Sequence, residues 1–167
     1  QSLEPYRHAV HQVEEITVVI KQYVLASFER EYNLLIELTG VSAIVACVIL
    51  SEIGPNVESF KSQGNLASWA GVCPGSYESA GIKKSSHTTQ GNKYLKSILF
   101  QAGGTAGRSK DEAFHNLYAR ISGRSSKMKA IIACAHKMIR VIYKILSTGE
   151  HYDAKKALGL RQQARAN

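Results

Sequence analysis

The sequence is poor in the residues that build stapled, metal-held or membrane-spanning proteins. Its 167 residues include three Cys, three Pro, one Trp and two Met. Cys47, Cys73 and Cys134 are far apart and form no C-x-x-C pair. An odd, scattered set argues against a disulfide framework and against a Cys-based zinc site, and fits a reducing cytoplasm. No apolar run approaches the ~18 residues of a membrane span. The longest, Val41–Leu50, is broken by Ser42, so no membrane partner is expected. No signal peptide opens the chain. It begins with Gln rather than Met, which reads as a piece of something longer. P-loop and G-x-S-x-G patterns are missing.

Metal chemistry finds little support. Of the six His (His8, His11, His87, His115, His136, His151), only His8 and His11 form a close pair. No acidic or Cys ligand stands near enough in sequence to complete a site, so no metal ligands are assigned. Glu14-Glu15 and Asp111-Glu112 are explained by a solvated face and a helix start. Two-metal nuclease chemistry needs several converging carboxylates, and no obvious set is present.

What the chain does have is a 44 % hydrophobic content, enough for one modest core, and an uneven net charge of +8. Residues 1–82 hold 4 basic and 9 acidic side chains, net −5; residues 83–167 hold 17 and 4, net +13. A basic half within one small protein is the electrostatic footprint of a polyanion partner, here nucleic acid. A merely solvated basic face is the plainer alternative, and an anionic membrane surface comes third.

The pattern predicts an all-α fold, since nothing alternates with period two. Tyr6–Leu38 reads as one long helix with a narrow apolar stripe through Val10, Val13, Ile16, Ile20, Tyr23/Val24 and Ser27. That suits either a coiled-coil arm in a dimer or simple packing on the domain behind it. Ser42 caps a helix Ala43–Ile53 that Gly54-Pro55 stops. Helix, Gly-containing turn, helix is the outline of a helix-hairpin-helix, a phosphate-gripping motif. Asn65 is expected to cap a short helix through Ala70, with Trp69 as its buried aromatic. Gly71–Gln90 is the longest irregular stretch, and long loops in compact domains carry function. Gly91-Asn92 opens a helix Lys93–Ala106, which Gly103, Gly104 and Gly107 make frail or closely packed. A capping box at Ser109–Glu112 starts a helix to Ile121. The last long helix, Arg124–Leu146, puts Lys137, Arg140 and Lys144 on a face of their own. The tail beyond His151 is read as basic and frayed.

The irregular stretch holds the candidate chemistry. Ser79 lies in Tyr77-Glu78-Ser79-Ala80-Gly81, followed by Lys83, Lys84, His87, Gln90-Gly91-Asn92, Lys93 and Lys96. A Ser attacking a phosphodiester needs an activated oxygen and stabilisation of a pentacovalent phosphorane. Clustered Lys and helix-start N–H groups supply the second; Glu78 and His87 are both candidates for the base that supplies the first. A loop that only binds phosphate accounts for the same residues. Gly81 and Gly91 would allow close backbone approach, and Lys137 and Arg140 extend the basic set.

Three runs carry a resemblance: Leu66–Gly75, Glu78–Lys84 and Gln90–Lys96. With Thr39–Ser42 and Leu50–Gly54 upstream, Phe60 and Ser62, and His136-Lys137, Tyr143 and Gly149–Tyr152 downstream, they resemble the C-terminal transposase domain of the bridge-RNA-guided insertion-sequence recombinases (the IS one-ten and one-eleven-eleven groups). The resemblance spans about Leu35 to Tyr152. It implies that Ser79 is a nucleophile linked covalently to a DNA 5′ phosphate. It also implies a structured guide RNA, assembly into dimers or tetramers, and action in a prokaryotic cytoplasm. The family's Mg²⁺ is expected on four carboxylates of an N-terminal domain that this sequence does not include. On this basis residues 1–34 are a coiled-coil or linker helix, 35–152 the serine-bearing domain and 153–167 a flexible tail.

Overall fold

In the computed structural model of the protein, residues 3–74, 77–79, 82–85, 88 and 90–163 are described, with 77–79, 82–85 and 159–163 described as backbone only. Seven helices follow one another, as the all-α reading expects: α1 (Glu4–Ile36), α2 (Ala43–Ile53), α3 (Gln63–Trp69), α4 (Lys93–Gly107), α5 (Glu112–Arg124), α6 (Lys127–Thr148) and α7 (Ala154–Gln163). Between α3 and α4 stands one small addition, a ribbon of strands β1 (Tyr77–Ser79) and β2 (Ile82–Ser85).

Helix α6 is the axis of the fold. Cys134, Ala135, Met138, Ile139 and Ile142 are fully buried, because their three-and-four spacing turns one apolar face inward. Helices α3, α4 and α5 pack on that face, and α2 packs on α4. Local chemistry sets the ends of α6: the Ser126 hydroxyl accepts from the Lys129 N–H at 3.3 Å. At the far end, Gly149 turns left-handed at φ 67° and donates its N–H to the Ile145 carbonyl at 2.8 Å.

The first helix does two jobs. It breaks at Phe28, whose φ −142° and ψ 39° are not helical. Beyond the break, Tyr32, Leu34 and Leu35 enter the core. Before it, Tyr6, Val13, Ile16, Val19 and Tyr23 are all more than half exposed. The arm therefore ends near residue 27, and the core begins inside the segment assigned to the linker helix.

Helix α2 runs as expected, with Ser42 accepting from Val45 N–H and Gly54 closing it at φ 77°. In the preceding turn, Gly40 adopts φ 91°, and a Cβ there would meet the Ala102 carbonyl and the Ala106 side chain. The α1–α2 turn is thus packed down on α4.

Three expectations are corrected. Ser62, not Asn65, caps α3: its hydroxyl accepts from the Asn65 backbone N–H at 3.2 Å and donates to the Asn65 side-chain Oδ1 at 2.7 Å. Trp69 is 41 % exposed rather than buried; its ring tilts against Phe60 with centroids 5.4 Å apart. Residues 154–163 form α7 instead of a frayed tail. Asp153 starts that helix by accepting from Lys155 N–H at 2.8 Å, and Ala157 is buried.

Candidate nucleic-acid interface

Ser79 is the last residue of β1, and its backbone pairs with Ile82 at the turn end of the ribbon. Glu78 stands opposite Lys83 in register, and Tyr77 opposite Ser85, with an irregularity between Tyr77 and Glu78. Lys84 lies in β2. An isolated bridge between Pro74 and Thr88 closes the foot of the ribbon. Gly81 and His87 lie outside the described residues. The Gly/Ser/Lys-rich stretch thus contains a short hairpin that places Ser79 at its turn.

Gly91 and Asn92 are committed to architecture. A Cβ on Gly91 would meet the backbone of Gly71 and, at 2.5 Å, the Trp69 carbonyl. Its bare Cα allows close packing between the two sides of the loop. The Asn92 side-chain carbonyl accepts from Tyr94 N–H at 3.0 Å and Leu95 N–H at 2.9 Å, capping α4. Its Nδ2 donates to Glu52 Oε2 at 2.5 Å, and its backbone N–H donates to the Trp69 carbonyl at 3.0 Å. One residue thereby ties α2, α3 and α4 together at the point where the loop returns. Lys93 and Lys96 follow in the first turn of α4, with their ammonium groups over the rings of Tyr94 at 4.8 Å and Phe100 at 6.0 Å.

Lys137 and Arg140 come together elsewhere, in a cleft of about 690 Å³ between α5 and α6 that reaches the foot of the ribbon at Pro74 and Thr88. Lys137 Nζ donates to the Ala113 carbonyl at 2.8 Å and sits 5.5 Å from the centre of the Phe114 ring. Burial pulls the Lys137 ammonium below its ordinary pKa, and nearby Asp111 partly opposes this. Arg140 Nε donates to Gln63 Oε1 at 3.1 Å, bracing α6 on α3. His136 beside it is held below its ordinary pKa, first by burial and then by Arg140. Lys144, on the same face of α6 one turn further along, lies near Thr148 and Glu150 at the end of the helix.

Sequence reasoning missed Arg120 and Lys129, which line the same cleft. A signal was present on α6, where Lys129, Ala133, His136/Lys137 and Arg140 recur at three-and-four spacing. Arg120 had no such signal, because only the packing of α5 on α6 brings it there.

The three thiols are not activated as nucleophiles. Burial pushes Cys47 and Cys73 up and Cys134 up to about 11, which keeps them protonated near neutral pH. Among the described residues no three His, Cys, Asp or Glu side chains converge. Among the described residues, no helix is long and apolar enough to cross a membrane.

With this arrangement in view, comparison with known proteins is decisive. The family model described as Transposase IS116/IS110/IS902 family matches residues 32–119, more than half of the chain. The chain belongs to that transposase family. The match begins at Tyr32, where α1 enters the core, and runs through the ribbon, α4 and most of α5. A Sinorhizobium fredii protein named as a candidate transposase, y4pF/y4sB, is 32 % identical over 126 residues, covering 71 % of this chain and 32 % of its own length. The Streptomyces coelicolor insertion element IS110 43.6 kDa protein is 28 % identical over 132 residues, covering 78 % and 32 %. The pilin gene-inverting protein of Moraxella lacunata is 28 % identical over 155 residues, covering 89 % and 48 %. The chain therefore spans a third to a half of the length of these relatives.

Proposed function

We propose that this chain is the serine-bearing, nucleic-acid-binding part of an RNA-guided DNA transposase. The observation that carries the reading is the family match across the ribbon that holds Ser79. Relatives named for transposition and for gene inversion support a reaction in which DNA strands are cut and rejoined. In this reading Ser79 Oγ bonds the phosphorus of a DNA phosphodiester. The P–O3′ bond breaks, the 3′ oxygen leaves with a proton, and the 5′ phosphate stays on the serine. Attack by a 3′ hydroxyl of another strand reverses the step and joins new ends. Lys83, Lys84, His87, Lys93 and Lys96 hold phosphates of DNA and guide RNA near the ribbon, and cationic neighbours stabilise the crowded phosphorus. Gly81 leaves room for the strand. The reaction belongs in the bacterial cytoplasm, with this chain acting as one part of a longer protein.

Binding is electrostatic in its larger part. With four phosphates neutralised, raising salt from about 50 to 200 mM weakens duplex DNA binding roughly a hundredfold, a log–log slope near −3.6. Fluorescence anisotropy across a salt series measures it, and a flat profile defeats the reading.

The exposed arm of α1 suits a second copy of the chain. Tyr6, Val10, Val13, Thr17 and Ile20 repeat at three-and-four spacing, the period of a left-handed coiled coil. Light scattering of the whole chain is expected to give a dimer or a larger oligomer, and removal of residues 1–27 a monomer. An unchanged oligomeric state after truncation removes α1 from that role.

A further inference from the structure

The cleft between α5 and α6 has the volume of a ligand site, and strand exchange at Ser79 leaves it unused. Its floor is apolar, made by Leu117 and Ile121 of α5 and Ile132 of α6, with Leu158 of α7 at one side. Its walls carry Arg120, Lys129, Lys137 and Arg140, and among the described residues no carboxylate lines it. Lys137 and the Nε of Arg140 already have protein acceptors. The Nε of Arg120 is buried and has no hydrogen-bond partner among the described residues. A buried guanidinium N–H is destabilising until an acceptor arrives, and here every charged neighbour lining the cleft is basic, so the fitting acceptor is an anion. Guanidinium donors match phosphate oxygens in geometry as well as in charge.

A phosphate alone explains the walls but not the floor. In a duplex the bases stay stacked inside and phosphates face outward, so the floor would meet nothing apolar. A single strand can turn a base into such a recess while its phosphate stays with the cations. We propose that this cleft binds an unpaired nucleotide of a DNA or RNA strand, with its phosphate on Arg120 and Lys129 and its base against Leu117, Ile121 and Ile132. The cleft opens at the Pro74–Thr88 bridge, so the bound strand is held at the foot of the ribbon that ends in Ser79. The inference rests on reading the chain as a nucleic-acid-binding protein.

The test measures anisotropy of oligo(dT), oligo(U) and a DNA hairpin duplex, each of about a dozen nucleotides per strand. The probes are titrated with the whole chain and with Arg120→Ala. Single-strand affinity is expected to fall roughly tenfold and its salt slope to weaken by about 0.7, while duplex affinity changes less than about twofold. Lys129 is exposed, so Lys129→Glu is expected to fold normally and to show the same selective loss. It keeps the test decisive if Arg120→Ala does not fold. Equal losses on single strand and duplex overturn the proposal, and so does unchanged single-strand binding in the folded variants. If the unaltered chain binds none of the three probes, the nucleic-acid reading falls with it. Selective loss on oligo(dT) alone, or on oligo(U) alone, supports the cleft and names the strand.

Discussion

Replacing Ser79 with Ala in the full-length protein is expected to abolish strand exchange and to leave nucleic-acid affinity within about twofold. The substitution removes one oxygen. The pairing of Ser79 with Ile82 is a backbone interaction, which Ala keeps. The ribbon therefore retains its register, and the lysines of β2 and α4 retain their places in the chain. If Ser79 is the atom that bonds phosphorus, the three thiols do not replace it, because burial raises their pKa. The rate is expected to fall at least about a thousandfold. The covalent protein–DNA species that resists denaturing electrophoresis is expected to vanish with it. Retained exchange, or retained adduct, defeats the nucleophile assignment. Loss of binding together with exchange also defeats it, because Ser79 would then be acting through the shape of the ribbon.

Helix ends were legible in the sequence wherever one short-range rule was enough. Ser42 and Gly54 bound α2 as read, because a hydroxyl before the first turn and a glycine after the last act within a few residues. The α3 start failed for a physical reason: Ser62 and Asn65 are both able caps, and they bond each other. The exposure of Trp69 depends on where Phe60 stands across the loop, a long-range fact. The ribbon was illegible because Gly, Ser and Lys dominate it and no period-two pattern marks its strands. The break at Phe28 occurs inside the helical pattern Tyr6–Leu38, which lacks both Gly and Pro. At the site, the charge contrast between the halves could be read directly. Gly91 and Asn92 suit a phosphate site because of glycine and a helix start; the part they play in packing and capping the loop depends on Gly71, Trp69 and Glu52, which are far away in sequence. The cleft could not be foreseen as a unit, since α5 supplies Arg120 and α6 supplies Lys129.

Two neighbouring glycines in α4 are expected to respond to the same substitution with opposite signs. The sequence left open whether Gly103, Gly104 and Gly107 make this helix weak or let it pack closely. At Gly103 a Cβ would stand 2.7 Å from the Ala135 backbone nitrogen and 3.0 Å from its Cα. Those atoms belong to α6, the axis of the core, so the clash cannot be relieved by turning a side chain. The two helices must move apart and loosen Leu99, Ala102, Met138 and Ile139, all almost fully buried. Overpacking of this kind costs about 1–3 kcal/mol. Gly103→Ala is accordingly expected to lower stability by about 2 kcal/mol and the melting temperature by roughly 6 °C. At Gly104 the nearest atoms are the Arg108 guanidinium at 3.4 Å and an Ile131 methylene at 3.6 Å. Both belong to side chains, and the distances are ordinary contacts. There the added methyl only removes glycine's excess freedom in the unfolded chain, a gain of about 0.5–1 kcal/mol in a helix interior. Thermal unfolding of both variants measures the pair. A stabilised Gly103→Ala would mean that α4 and α6 do not meet backbone to backbone. The close approach that seats α4, and with it the Asn92 cap at the returning end of the loop, would then be wrong.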